Sequence, residues 1–355
     1  MRTLVLILAT WLLALPVGAQ DWRDPDLGNS LREGLATREH IWLLGASGKV
    51  ARFDRRTGER EIVAEKVRDL LPAGGKLWAL IGADDGATWL LRDLRNPGPP
   101  SGEEAERSRL YLHPSETSGG EAIGLVDWPG QNRPTVLAQR MFLAPTAGGW
   151  DRRSLAATLG TGGRIAVTGD GLLYVGYNLG EWGGGLRRID TREGSVAFAR
   201  ETSADLCGGA INPACTPVIG LFRDPDQPGC VVVGTGIAHL STSQGEVFRV
   251  CGDAITSVFK TPTPTVKDRW MMSPQPWPLH GFVETPDGWV GASRDRYFRS
   301  RGGHVEERPM PAFTDWSGLR ISEEQDGVLF LISSCCWGST DSPTLYGALA
   351  LPVVP

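Results

Sequence analysis

A chain of 355 residues with 36 Lys and Arg against 41 Asp and Glu has a formal charge of −5. So mild an acidity argues against a nucleic-acid partner, which requires a basic patch. The length would suit two ordinary domains, but a repeat architecture absorbs it in one.

Taken in chain order, Arg2 opens a short positive region, Leu4 to Pro16 forms an apolar core, and Val17-Gly18-Ala19 ends in small residues. Residues 1–19 therefore read as a secretory signal peptide, the apolar run being too short for a membrane span. No Cys follows the cleavage point and no second long apolar run occurs. The expectation is an exported chain, periplasmic or extracellular, without a lipid anchor or a membrane span, in which 20–355 fold as one domain.

A phrase then recurs: an apolar strand, a Gly or Asp-Gly turn, a strand with Trp, Tyr or Val, and an arginine-rich strand. It reads His40-Ile41-Trp42-Leu43-Leu44 then Lys49 to Asp54, and Leu77-Trp78-Ala79-Leu80 then Thr88 to Arg92. It returns as Leu172-Leu173-Tyr174-Val175 then Leu186 to Asp190, as Gly288-Trp289-Val290-Gly291 then Tyr297 to Arg299, and as Gly327-Val328-Leu329-Phe330. Repeats of four-stranded size in an all-β chain predict a β-propeller. The 46 glycines and 25 prolines supply its turns.

The blades divide as Leu31 to Lys66, Val67 to Leu112, Glu121 to Leu159, Arg164 to Arg200, Val218 to Cys251, a sixth ending in His280 to Pro309, and Gly318 to Leu351. That makes seven four-stranded blades, with six and eight as the neighbouring counts. Asn96 to Arg107, rich in Pro, Gly and Glu, reads as a mobile insertion, and Ile255 to Leu279 as an added loop or a remnant strand pair. The last blade lacks an outer strand, and Asp21 to Leu31 is expected to pair there and cover the edge.

The Gly-Leu-Leu-Tyr-Val-Gly run at 171–176 and Gly-Gly-Leu-Arg-Arg-Ile-Asp at 184–190 resemble the blades of periplasmic sensor-type propellers of bacterial two-component regulators. The generic blade pattern is what matches, so the resemblance implies a fold and no activity. Nothing resembles the transmembrane and signalling domains of such regulators.

Antiparallel order puts the turns between second and third strands, and the links between blades, on one face. There the sequence places Asn178-Leu179-Gly180-Glu181-Trp182 with three glycines behind it, Asp84-Asp85, Arg294-Asp295, Cys335-Cys336-Trp337 and the link holding Cys207 and Cys215. In one reading Trp182 stacks on a ligand while Glu181 and Asn178 supply hydrogen bonds. In the other, Trp182 packs over the next blade and the glycines only shape a long turn. Asn178, Glu181, Trp182, Arg294 and Trp337 are the candidate ligand-binding residues. Asp84-Asp85-Gly86 fits half a calcium loop or a tight hairpin. Arg294-Asp295-Arg296 fits an anion clamp or a solvated turn.

Six Cys in an exported chain suggest disulfides. Cys207 and Cys215 bracket a short loop and are expected to pair. Cys230 at the start of the second strand of its blade and Cys251 at the end of the fourth would sit at opposite ends of the sheet, out of bonding reach. Cys335-Cys336 could form a vicinal disulfide of the kind that lies against the cofactor of propeller quinoproteins, but the tryptophan-docking repeats of those enzymes are missing.

The five His have no metal-ligand spacing; His40 and His239 read as structural, and His280 stands near the channel. No Gly-x-Ser-x-Gly elbow occurs, and glycosidic carboxylate pairs drawn from different blades are not legible in a sequence. The expectation is a non-catalytic module, without cofactor or metal, that binds a protein partner or small ligand. The alternative is a propeller enzyme: a hydrolase or lyase on a sugar, lactone or peptide, or a quinone-dependent oxidoreductase.

Overall fold

The computed structural model describes residues 25–28, 31–37, 39–96, 102–112, 122–161, 163–168, 170–201, 203–239, 242–263, 275–293, 296–309, 318–324, 327–333 and 346–352. Residues 1–19, read from the sequence as a signal peptide, and Arg294, Cys335, Cys336 and Trp337 lie outside them. Successive antiparallel sheets follow the chain. The first holds β1 (Leu31–Ala36), β2 (His40–Gly45), β3 (Val50–Asp54) and β4 (Arg60–Ala64); the second β5 (Val67–Ala73), β6 (Lys76–Gly82), β7 (Thr88–Asp93) and β8 (Arg109–Tyr111). Between β7 and β8, inside the expected mobile insertion, lies a short helix, α1 (Gly102–Ser108).

The third sheet holds β9 (Ala122–Val126), β10 (Thr135–Ala138), β11 (Met141–Thr146) and β12 (Gly149–Ser154). The fourth holds β13 (Arg164–Val167), β14 (Leu172–Gly176), β15 (Leu186–Asp190) and β16 (Ser195–Phe198). The fifth holds β17 (Val218–Arg223), β18 (Val231–His239), β19 (Thr242–Cys251) and β20 (Ala254–Lys260). The sixth holds β21 (Gly281–Thr285), β22 (Gly288–Ala292), β23 (Arg296–Arg301) and β24 (His304–Pro309).

Three further strands, β25 (Gly318–Glu324), β26 (Gly327–Ser333) and β27 (Tyr346–Pro352), complete the described chain. β25 runs parallel to β1 through the pair Ala36 and Glu324, so these three and the first four strands form one seven-stranded sheet. The expectation of seven four-stranded blades is corrected to six. The last segment supplies three strands, and its innermost one joins the first blade's sheet. The N-terminal segment also differs from expectation. Pro25–Leu27 is a 3-10 turn whose Leu27 O accepts the Ser47 N–H of blade one at 3.2 Å, and the inner strand β1 starts at Leu31, where blade one was expected to begin. The inner strands touch in the order β1, β5, β9, β13, β17, β21, β25 and back to β1, which closes the circle.

Neighbouring blades pack face to face, and that explains the strand patterns. Second strands are buried on both faces, so β2 and β6 carry near-continuous apolar runs. Trp42, Leu44 and Val50 of blade one meet Val67, Leu77 and Ala79 of blade two. Phe222 and Val232 of blade five meet Phe282 and Trp289 of blade six, with the Phe222 and Phe282 rings stacked at 5.5 Å. Outermost strands such as β24 are mostly exposed. Among the described residues no helix is long and apolar enough to cross a membrane.

Blade five corrects the cysteine geometry. The stretch after His239 holds one ten-residue strand, β19, so Cys251 ends the third strand; the fourth, β20, occupies part of the presumed loop at 255–279. Val231 pairs with Val250, which brings Cys230 beside Cys251, and the two form a disulfide with Cα atoms 4.3 Å apart. Cys207 and Cys215 are also bonded, at 5.4 Å between Cα atoms.

Candidate functional site

The inner strands surround a central cavity of about 960 Å³, lined by β1, β5, β9, β13, β17 and β21. Its wall is polar and charged. At the end where these strands begin stand Arg32, Arg68, Arg164 and His280; where they finish stand Asp127, Arg223 and Glu284. Asn178, the first residue after the Tyr177 at the root of its loop, also lines the cavity. Of the three candidate ligand residues among the described ones, Asn178, Glu181 and Trp182, it is the one that lines the channel.

One layer into the wall, Glu33 of β1 and Asp69 of β5 occupy the same place in consecutive blades, each just past a register shift. Glu33 Oε2 accepts the Leu70 backbone N–H at 3.0 Å, and Asp69 Oδ2 accepts that of Leu125 at 2.5 Å. Each carboxyl thus ties its blade to the next one. In blade three the equivalent residue is Gly124, where a Cβ would come within 2.6 Å of Asp69 Oδ2. The glycine leaves the space that the carboxylate fills.

Burial in the wall pushes the Asp69 carboxyl well above the ordinary carboxylate range, and the adjacent Glu33 charge and their mutual hydrogen bond push it the same way. Although Asp69 keeps some surface toward the cavity, protein surrounds that surface, so desolvation dominates. Arg164 lies 3.6 Å from Glu33 Oε1. Sequence reasoning passed over this pair and the two arginines before it. The signal was present as Leu31-Arg32-Glu33 and Val67-Arg68-Asp69, an arginine–acid step at the same strand start in adjacent repeats.

The loop between β14 and β15 is built against the link between blades four and five. Gly184 N–H donates to Pro213 O at 2.9 Å and Gly185 N–H to Thr216 O at 3.0 Å. Gly183 has φ +76°, and a Cβ there would lie 2.5 Å from the Cys215 backbone nitrogen. These glycines are needed for backbone contact as well as for turning. The Tyr177 hydroxyl donates to Gly160 O at 3.1 Å, and burial raises its pKa to about 12, so the loop's root stays neutral. Asn178 Oδ1 accepts the Gly180 N–H at 2.9 Å. The Cys207–Cys215 bond holds the facing link.

Three large apolar side chains project from these two segments. Trp182 is 75% exposed, Leu179 58% and Leu206 83%; Trp182 does not pack over the next blade. Glu181 is exposed beside it. Across 178–185 and 201–217 the chain has Glu181, Glu201 and Asp205 and no Lys, Arg or His.

The other candidates resolve locally. Asp85 accepts the Ala87 and Thr88 N–H groups at 2.9 and 2.7 Å and the Thr88 hydroxyl at 2.6 Å, while Asp84 pairs with Lys66. These are hairpin bonds, and those from Thr88 hold the Asp85 carboxyl below its usual range. Arg296 lies over the Trp277 ring at 4.1 Å and pairs with Glu307.

No family model matches the chain, and no curated protein matches it. Solved structures do. The extracellular domain of a putative hybrid two-component system from B. thetaiotaomicron shares 12% identity over 91% of this chain, with a TM-score of 0.48; the match spans 38% of that chain's length. The β-propeller domain of Cps50 (Swd1) from Myceliophteria thermophila shares 12% identity over 92% of this chain and 98% of that one, with a TM-score of 0.51. YCF48, solved bound to a D1 peptide, shares 10% identity over 89% and 94%, with a TM-score of 0.51. At these identities the two likenesses with TM-scores of 0.51 show the fold alone, a β-propeller of repeated blades.

Proposed function

We propose that this chain is an exported, non-catalytic β-propeller that binds a protein partner on the face formed by its second-to-third-strand turns. The observation that carries the reading is the exposure of Trp182, Leu179 and Leu206 on two segments joined by backbone bonds, one of them closed on itself by a disulfide. A large aromatic kept in water on a rigid loop is the usual anchor of an interface. The rim of Glu181, Glu201 and Asp205 suits a partner segment that is apolar with basic flanks. The peptide-bound neighbour supports this reading at the level of the fold. The two disulfides suit an oxidising compartment, in keeping with export. Arg294 and Trp337, which the sequence pattern assigns to the same face, are proposed as further contacts.

Trp182→Ala is expected to leave unfolding stability within about 1 kcal/mol, as exposed substitutions do, while abolishing partner capture. A photo-crosslinker at Leu206 should trap a partner in producing cells, and the adduct should vanish with Trp182→Ala. A crosslinker at Arg192, in the β15–β16 turn on the opposite face, should trap none. A loss of several kcal/mol in Trp182→Ala would make Trp182 a packing residue and end the reading.

One observation favours a second reading, a propeller hydrolase or lyase. Glu33 and Asp69 form a hydrogen-bonded carboxyl pair beside a polar channel, a proton-sharing dyad able to act as acid and base, though closer together than the separated carboxyls of glycosidic chemistry. Both spend an oxygen on backbone N–H groups of the next blade, which favours the structural role. Turnover of a sugar, lactone or peptide substrate that disappears in Glu33→Gln would reverse that preference.

A further inference from the structure

The inner strands begin with a repeated irregularity. In β1, β5, β9 and β17 the second residue is an extra one, skipped by the register with the neighbouring strand: Arg32, Arg68, Ile123 and Ile219. A bulge bends its strand and re-aims the extra side chain, and all four line the central cavity. Two of these positions, in adjacent blades, are arginines. Arg164, the first residue of β13, and His280, immediately before β21, stand at the same end of their strands and line the same space. Blades one, two, four and six therefore each bring a basic side chain to one mouth of the channel.

Among the described wall residues at that level, the two acids Glu33 and Asp69 stand against three arginines and His280. Arg164 lies 3.6 Å from Glu33, and burial and the adjacent Glu33 push the Asp69 carboxyl well above its ordinary range. The acids Asp127 and Glu284 lie at the far ends of their strands. Arg68 is fixed on the wall, its Nε–H donating to Ala122 O at 3.1 Å. Arginine presents a planar fork of donors that matches carboxylate and phosphate oxygens in pairs. A cavity of about 960 Å³ lies in the range that encloses small molecules.

We propose that the mouth of the channel binds the oxyanion of a small ligand, a carboxylate or a phosphate, between Arg32, Arg68 and Arg164. This site is separate from the Trp182 surface, although it opens on the same face.

Isothermal titration of the full chain at fixed ionic strength, with citrate, inorganic phosphate and chloride as probes, tests it. Saturable binding of an oxyanion at one site per chain is expected, with chloride silent. Preference for citrate assigns a carboxylate ligand, and preference for phosphate a phosphorylated one. The double substitution Arg32→Gln with Arg68→Gln should weaken binding at least about tenfold, the scale of a lost charge-assisted hydrogen bond. Arg223→Gln, at the other end of the channel, and Trp182→Ala should leave it unchanged, so this site and the partner surface can fail independently. Should the double variant lose its fold, Arg68→Lys replaces it, keeping the charge and losing the fork, and binding must still drop. The proposal is overturned if the folded wild-type chain shows no saturable binding of either oxyanion, or if neither arginine variant weakens it.

Discussion

Replacing Cys230 and Cys251 together by serine is expected to lower the unfolding free energy by about 3 kcal/mol, read from urea unfolding as a lower midpoint with a slope that rises as the unfolded chain expands. The bridge closes a sequence separation of 21 residues, and loop-closure entropy removed from the unfolded chain at that length gives this magnitude. The native state should change little. The β18–β19 hairpin pairs Val231 with Val250 through Gly236 with Gly245 without help from the sulfurs, and Cys230 is buried where it stands. The Cys207–Cys215 bridge spans a separation of only 8, so its double serine variant should lose somewhat less. It should instead loosen the segment facing the Trp182 loop. Dithiothreitol should bring the wild-type midpoint down to that of the variants combined. A loss below about 1 kcal/mol for Cys230 and Cys251 would mean that the bridge does not constrain the unfolded chain.

The same blade shows why part of the fold was legible and part was not. Blade four could be read almost to the residue, because its strands are short and its glycines fall at strand ends and in the turns between them, which have a local signature. In blade five the glycines do something else. A Cβ on Gly234 would lie 2.3 Å from the Phe282 ring, and one on Gly236 would lie 2.0 Å from Leu279 O. These glycines admit the inner strand of blade six, a tertiary demand with no local signature. With Gly245 they make a long continuous hairpin look punctuated, and the strand order and cysteine geometry followed that error. The blade count failed for a related reason. Repeats advertise their presence, but pairing between β25 and β1 joins residues from opposite ends of the chain. The exposed Trp182 loop was visible because tryptophan flanked by glycine is unusual in any strand pattern. The channel was hidden: bulges at Arg32 and Arg68 change where a side chain points without changing the apolar pattern around it.

Asp69→Ala should cost about 1–3 kcal/mol at neutral pH, and Asp69→Asn much less, because the two variants separate the hydrogen bonds from the charge. Alanine leaves the Leu125 N–H without its acceptor and removes the hydrogen-bond partner of Glu33. Asparagine keeps an oxygen for Leu125 and offers N–H to Glu33, so it imitates the protonated acid. The pH dependence follows from the direction of the shift. In the unfolded chain Asp69 ionises near the ordinary value of about 3.9; in the folded chain burial and Glu33 hold the proton to higher pH. Between those two values the folded state binds more protons than the unfolded one, so this group's contribution to stability falls as pH rises. Asp85 and Asp287, whose carboxyls are held low by hydrogen bonds from Thr88 and by Arg299, push the other way: their stabilisation grows as pH rises through the acid range. The wild-type profile mixes both slopes, and the difference between wild type and Asp69→Asn isolates one. Urea unfolding across that range should show the stability of Asp69→Asn relative to wild type rising with pH and levelling off above the folded pKa. If the wild type instead gains on Asp69→Asn, the carboxyl is ionised in the native channel. The mouth then carries the Asp69 charge against its arginines, and the case for an oxyanion there weakens with it.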